Sequence, residues 1–278
     1  MSQDAPQNPI ARKQVLCTMP GTDAVIVRRD ETYRMTDTGA LTMDLYYPPD
    51  SRNGPLLPAV VFVLGFSDVG AKKILGCSAK EMGSYVSWAR LAAASGLVAI
   101  TYTNREPEAD LHAVLDHVRS NAASLGIDAN RIGVWACSGH VPMALSLLMQ
   151  KDGLRPTCAV LCYGYMLDLD GLTGVAEAAA AWRFVNASAG KSVDDLRRDV
   201  PLFVARAGRD QFAGLNEGVD RFLANAVARN LPVTFVNHPE GPHAFDLDHD
   251  SETTREIIRG ILAFMRCRLG AAPVEGGR

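Results

Sequence analysis

The chain has 278 residues, 47% hydrophobic and 21% charged, which is apolar enough for a sizeable core and excludes a disordered or fibrous protein. The 28 Lys and Arg against 31 Asp and Glu leave a formal net charge of −3, too small and too mixed for a nucleic-acid footprint or a membrane-surface patch. Six cysteines, Cys17, Cys77, Cys137, Cys158, Cys162 and Cys267, contain no CxxC pair and are too sparse for a disulfide scaffold, so a reducing, cytoplasmic setting is expected.

Residues 1–20 carry Pro6, Pro9 and Pro20 and no apolar run of the kind a secretory signal needs. They read as a poorly ordered or surface-wrapping arm. No later window reaches about 18 uninterrupted apolar residues, so no membrane span is expected. From residue 24 short β-branched runs alternate with longer helical patterns, which predicts an α/β fold with a mainly parallel sheet.

Eight strands are expected: Ala24–Arg29, Leu41–Tyr47, Ala59–Leu64, Leu97–Tyr102, Arg131–Ala136, Thr157–Cys162, Pro201–Ala207 and Pro232–His238. Pro48-Pro49 closes the second, because proline cannot continue a ladder. Helical periodicity falls at about 81–95, 106–124, 139–150, 215–229 and 251–268. In the second of these, Leu111, Val114, Leu115, Val118 and Leu125 make one apolar stripe that should lie on the sheet. The connection 163–200 is long and its Ala-rich part, Val175–Val185, reads as a helix over or beside a site, that is, a small cap. The expected organisation is an arm at 1–20, one domain over 21–269 and a frayed tail at 270–278.

One stretch carries the chemistry. In Arg131-Ile-Gly-Val-Trp-Ala-Cys-Ser-Gly-His-Val-Pro a buried-type strand turns directly into an apolar helix, with Ser138 at the bend. A hydroxyl there projects above the carboxyl edge of the sheet, over a helix N-terminus whose free N–H groups can stabilise an oxyanion. Pro142 suits this phase, since proline in a first helical turn removes no needed donor. The G-x-S-x-G elbow reads Ala136-Cys137-Ser138-Gly139-His140: Ala136 meets the small-residue requirement two positions before Ser138, whereas His140 stands where a glycine is expected. The rival phase with Cys137 as nucleophile places bulky Trp135 at that position. Ser138 as a plain helix cap and Cys137 as a small buried hydrophobe are the ordinary alternatives.

A serine nucleophile needs a base and an acid to orient it. Gly208-Arg209-Asp210 follows the seventh strand and Glu240-Gly241-Pro242-His243-Ala244-Phe245-Asp246 follows the eighth, at the strand ends where open α/β sheets bind ligands. The order Ser138, Asp210, His243 is that of this fold's triad. Asp168 and Asp170, after the sixth strand, are rival acids. His140 could contact substrate or line the pocket wall. Cys158 and Cys162, four apart in one strand, face the same side and read as core.

With these residues the sequence resembles the α/β-hydrolase superfamily over roughly 24–268, and within it the dienelactone-hydrolase-like serine carboxylesterases. The likeness rests on the eight-strand rhythm, the elbow ACSGH, the acid turn AGRD and the terminal GPHAFD. Dienelactone hydrolases use a cysteine nucleophile, so Ser138 favours the serine esterase branch. The resemblance implies an eight-stranded, mainly parallel sheet with helices on both faces and a small or absent cap. It also implies oxyanion donors from the backbone of Phe66 and Gly139, although the family's usual His-Gly in that loop is here Leu64-Gly65.

Gly65, Ser67, His140, Tyr163 and Tyr165 are the expected substrate-binding residues, with Trp88 more suited to the core and Trp182 to the pocket. The function expected is hydrolysis of small to medium acyl esters or lactones through an acyl-enzyme, with no metal or cofactor. The expected partner is a small-molecule ester, not nucleic acid or membrane, and a homodimer is compatible with the sequence. The same triad could instead serve peptide cleavage, acyl transfer or carbon–carbon hydrolysis, and the fold could carry an inert binding protein.

Overall fold

The computed structural model describes residues 8–49, 51, 54–151, 155–168 and 174–271. In chain order the strands are β1 Ile26–Thr36, β2 Gly39–Tyr47, β3 Leu57–Phe62, β4 Val98–Tyr102, β5 Ile127–Cys137, β6 Ala159–Cys162, β7 Leu202–Ala207 and β8 Val233–His238. The helices are α1 Pro9–Arg12, α2 Asp68–Leu75, α3 Gly83–Ala94, α4 Pro107–Ser120, α5 Val141–Leu148, α6 Val175–Trp182, α7 Leu215–Ala228, α8 Phe245–Asp248 and α9 Glu252–Leu269. All eight expected strands lie in one sheet of order β1-β2-β4-β3-β5-β6-β7-β8. Only the β1–β2 and β2–β4 pairings are antiparallel.

The sequence reading differs most at β1, which runs seven residues past its expected end at Arg29. This stretch, DETYRMT, is mostly polar and buries only Tyr33, so it has no apolar run to advertise it. It is a strand because β2 supplies a hydrogen-bonding partner, with a register shift at the left-handed Asp30, φ +57°. Strands β3, β4 and β6 show the opposite character. Nearly every residue in them is buried, which requires a covering layer on both faces and explains why they read as continuous apolar runs.

One covering layer contains α3 and α9: Trp88 of α3 packs on Trp135 of β5, and Leu269 of α9 lies beside Gly133 two residues earlier on the same face of that strand. The predicted stripe Leu111, Val114, Leu115, Val118 and Leu125 is buried throughout. Cys158 and Cys162 are core, as expected. The described part of the arm wraps rather than frays. Ala11 and Val15 are buried, Val15 N–H donates to Ser87 Oγ and Leu16 N–H to the Asp246 carbonyl. The chain leaves β3 toward β4 on one side and leaves β5 toward β6 on the other. The connections after β3 and β5 therefore run in opposite directions, which makes the carboxyl ends of this pair the switch point at which this architecture receives ligands.

Candidate active site

Ser138 stands one residue beyond β5, in a single 3₁₀ turn, Ser138–His140, that leads into α5 with Pro142 in its first turn. Its φ is +50°, a left-handed conformation that costs a non-glycine residue roughly 1–2 kcal/mol and that the surrounding structure must impose. Ser138 does not cap the helix with its side chain. Its carbonyl is tied down by the N–H of Tyr165, and its hydroxyl is left to face the next loop.

There Ser138 Oγ lies 2.8 Å from His243 Nε2, and His243 Nδ1 lies 2.6 Å from Asp210 Oδ2. The Asp210 side chain is fully buried and that of His243 is 12% exposed, so the acid is shielded while the base keeps an open edge. Asp210 is itself fixed, its Oδ1 accepting the Phe212 N–H at 3.0 Å. Gln211 Oε1 accepts the His243 N–H at 3.2 Å. The acid turn and the histidine loop touch backbone to backbone: a Cβ on Gly208 would meet the Pro239 carbonyl oxygen at 2.6 Å, so only glycine allows this approach. Edges of Phe212 and Tyr163 confine the imidazole, with centroids 4.6 and 5.1 Å away. The rival acid Asp168 does not occupy the position at His243 Nδ1, and Asp170 lies outside the described residues.

Phe66 follows β3 in a loop held by side chains. Asn104 Nδ2 donates to the Phe66 carbonyl at 3.0 Å and Asn104 Oδ1 accepts the Asp68 N–H at 2.9 Å. The Asp68 carboxylate in turn accepts the N–H groups of Ala79 and Asn104, and burial pushes its pKa above the ordinary carboxylate range. Gly139 is the middle residue of the turn on the facing loop. A Cβ there would lie 2.7 Å from Phe184 Cδ1 and 2.8 Å from Phe66 Cζ, so two aromatic rings stand directly over the amide next to Ser138.

Several expected substrate contacts are committed elsewhere. Ser67 caps α2, accepting the Val69 N–H and donating to the Arg105 carbonyl. Tyr163 donates its hydroxyl to Asp246 Oδ1 at 2.7 Å and backs His243 instead of facing a substrate. His140 Nδ1 accepts the Gly65 N–H at 2.7 Å. Tyr165 keeps its place near the site, stacked on Phe184 at 5.1 Å and 27°. Trp88 is buried in the core as expected, whereas Trp182 is 57% exposed and lies edge-on to Phe212.

The sequence reading passed over four contributors: Phe184, Phe212, Asn104 and the role of Asp246. Asp246 is buried beneath the histidine loop, with Trp88 Nε1 donating to it at 2.7 Å. Its presence three residues after His243 in GPHAFD was the one signal available, while the other three sit in stretches with no motif. Burial raises the Asp246 pKa, Tyr163 and Trp88 pull it back, and nearby His243 contributes further in that direction. Cys137 is half-buried beside Tyr85 and Tyr163. Burial drives its thiol pKa far up, which suits a small hydrophobe and not a thiolate nucleophile.

His140 supplies a prediction about stability. Burial pushes its pKa down from 6.5 to about 3. The unfolded chain then binds a proton that the folded one refuses, so this group's contribution is present above about pH 6.5 and is lost as the pH falls toward 3. Between pH 7 and 5 the wild type should lose up to about 2 kcal/mol more unfolding free energy than His140→Asn. Urea denaturation of both proteins at the two pH values measures the difference, and parallel losses would contradict the depressed pKa.

The sheet order and the Ser–His–Asp chain at the carboxyl edge of the sheet define an α/β-hydrolase fold. Solved structures carry the same likeness. The chain superposes on the Thermogutta terrifontis esterase 2 phosphonylated by sarin with a TM-score of 0.70 and 18% identity, covering 92% of this chain and 98% of that one. A bacterial heroin esterase gives 0.67 at 16% identity, with 91% and 87% covered. The esterase LipW from Mycobacterium marinum gives 0.65 at 16% identity, with 88% and 82% covered. No family model and no curated protein matches the sequence. Among the described residues no helix is long and apolar enough to cross a membrane, and no group of three or more His, Cys, Asp or Glu side chains is placed to hold a metal ion.

Proposed function

We propose that the protein is a serine hydrolase of carboxylic esters with small to medium acyl groups, acting through an acyl-enzyme. The observation that carries this reading is the unbroken chain from Ser138 Oγ through His243 to Asp210 at 2.8 and 2.6 Å, reached from three separate strand ends. His243 Nε2 takes the hydroxyl proton as Ser138 Oγ attacks the ester carbonyl, and Asp210 holds Nδ1–H so that Nε2 is free to accept. The developing oxyanion is received by the N–H groups of Gly139 and Phe66. His243 then returns the proton to the leaving alcohol, and a water repeats the sequence to release the acid. That the solved neighbours are named as esterases supports the choice of ester over amide.

The acyl group would sit against Phe66, Phe184 and Tyr165, and the alcohol toward Phe212 and Trp182. The described parts of 163–168 and 174–200 then act as a small cap on a single hydrolase domain. Six free thiols suit a cytoplasmic, reducing compartment. Hydrolysis of a matched series of p-nitrophenyl esters and anilides tests the reaction class, and faster turnover of the anilide would displace the ester reading. Phe184→Ala should open the acyl side. The ratio of hexanoyl to acetyl ester kcat/KM is expected to rise about 10-fold, and an unchanged ratio would remove Phe184 from the acyl pocket.

A further inference from the structure

His140 occupies the elbow position where a small residue is expected, yet the bend forms around it. The crowding has a use. A Cβ on Gly65 would meet the Gly139 carbonyl oxygen at 2.6 Å and His140 Cα at 3.0 Å, so the β3 loop and the elbow run in backbone contact. Among the described residues, beyond the ladder bond from Val63 N–H to the Trp135 carbonyl, these two loops are joined by the hydrogen bond from Gly65 N–H to His140 Nδ1, at 2.7 Å.

Gly65 is held from its other side as well. Its carbonyl accepts the Val185 N–H at 2.8 Å. In a trans peptide the carbonyl of Gly65 and the N–H of Phe66 point in opposite directions, so Val185 turns the Phe66 N–H away from the cap segment. The two bonds together remove the rotational freedom of the segment that carries this N–H. We propose that His140 is a positioning residue of the oxyanion hole: by accepting the Gly65 N–H it fixes the Phe66 amide against the Ser138 elbow. This assignment rests on the hydrolase reading above.

Acceptance at Nδ1 dictates the tautomer, with the proton on Nε2. The ring is gripped by Phe66 and Tyr85, whose centroids lie 4.9 and 5.9 Å away. An imidazolium could not take this place, since its Nδ1–H would oppose the Gly65 N–H. Burial favours the neutral form for the same ring. The histidine absent from position 64 is therefore matched by one reaching across from the elbow to the same loop.

The test compares His140→Ala, His140→Gln and His140→Asn on a short p-nitrophenyl ester, together with the rate at which a fluorophosphonate labels Ser138. The Oδ1 of asparagine can stand where Nδ1 stands, whereas the glutamine oxygen lies one bond too far along. His140→Ala and His140→Gln are expected to lower kcat and the labelling rate about 10- to 100-fold with KM little changed, the scale of a donor displaced by about 1 Å. His140→Asn should return both to within about threefold of wild type.

A role confined to stability would move the melting temperature without separating Asn from Gln. Wild-type kcat and labelling in His140→Ala, or equal rates in folded Asn and Gln variants, would overturn the proposal. Should the variants fail to fold, ¹⁵N NMR of the wild-type ring decides: a neutral Nε2–H tautomer retained below pH 5 supports it, and a ring that protonates as a free imidazole does overturns it. A wild type that neither labels nor turns over any ester refutes the hydrolase reading itself, whereas normal wild-type labelling with indifferent His140 variants refutes only the positioning role.

Discussion

Ser138→Ala is expected to lower kcat/KM on a short p-nitrophenyl ester by about 10⁴-fold or more and to abolish fluorophosphonate labelling. The size follows from what the hydroxyl does. Among the described residues no other nucleophile is placed to replace it: Cys137, its neighbour in sequence, has a thiol that burial keeps protonated, and it faces Tyr85 and Tyr163 instead of His243. On the proposed reading, what survives in the variant is the pair of oxyanion donors and the binding surface, which by themselves still accelerate hydrolysis about 10³- to 10⁴-fold over water. The substitution removes one oxygen from a strained position, Ser138 at φ +50°, and alanine bears the same strain, so the fold should be kept. Retention of activity with loss of labelling would mean that the turnover arises at another site, and Ser138 would have to be withdrawn as nucleophile.

Asp210→Asn should reduce kcat by about 10⁴-fold while leaving KM almost unaltered. Asp210 Oδ2 accepts the proton on His243 Nδ1 at 2.6 Å, which leaves Nε2 as a lone-pair acceptor toward Ser138. An asparagine amide can turn its NH₂ toward Nδ1 and stabilise the opposite tautomer, in which Nε2 carries a hydrogen and can take none from the serine. The charge is lost as well, and with it the support for the imidazolium that forms during attack. Because the side chain is fully buried, water cannot substitute for it. Asp168→Asn, in the loop after β6 instead of the loop after β7, is the control. If Asp210→Asn kept more than about a tenth of the rate while Asp168→Asn lost it, the acid would have been assigned to the wrong loop.

The elements that the chain announces are those whose local composition and tertiary role agree. Strands such as AVVFVL are buried on both sides, so their apolar runs are direct evidence of a covered sheet, and the stripe on α4 appears at the spacing the sheet requires. The triad was legible for a related reason. Each member follows a strand end within a few residues, so strand positions alone bring Ser138, Asp210 and His243 to one edge. β1 was underestimated because an exposed edge strand is polar, and its pairing with β2 is a property of two segments together.

Other features depend on contacts between segments distant along the chain. Whether Ser67, Tyr163 and His140 face a substrate or a protein group was decided by Arg105, Asp246 and Gly65, none of which any local pattern links to them. Phe184 and Phe212 entered the site in the same way: Phe184 lies near the end of the Ala-rich stretch expected to form a cap and Phe212 follows the acid turn, and nothing local links either ring to Gly139 or His243. Short-range patterns suffice for the sheet, the bend at Ser138 and the order of Ser138, Asp210 and His243 along the chain, because hydrophobic period and turn chemistry act over a few residues. Which hydroxyl, ring or amide is already satisfied and which is left open for a ligand depends on the folded arrangement, because a hydrogen bond is made by the partner that folding brings near.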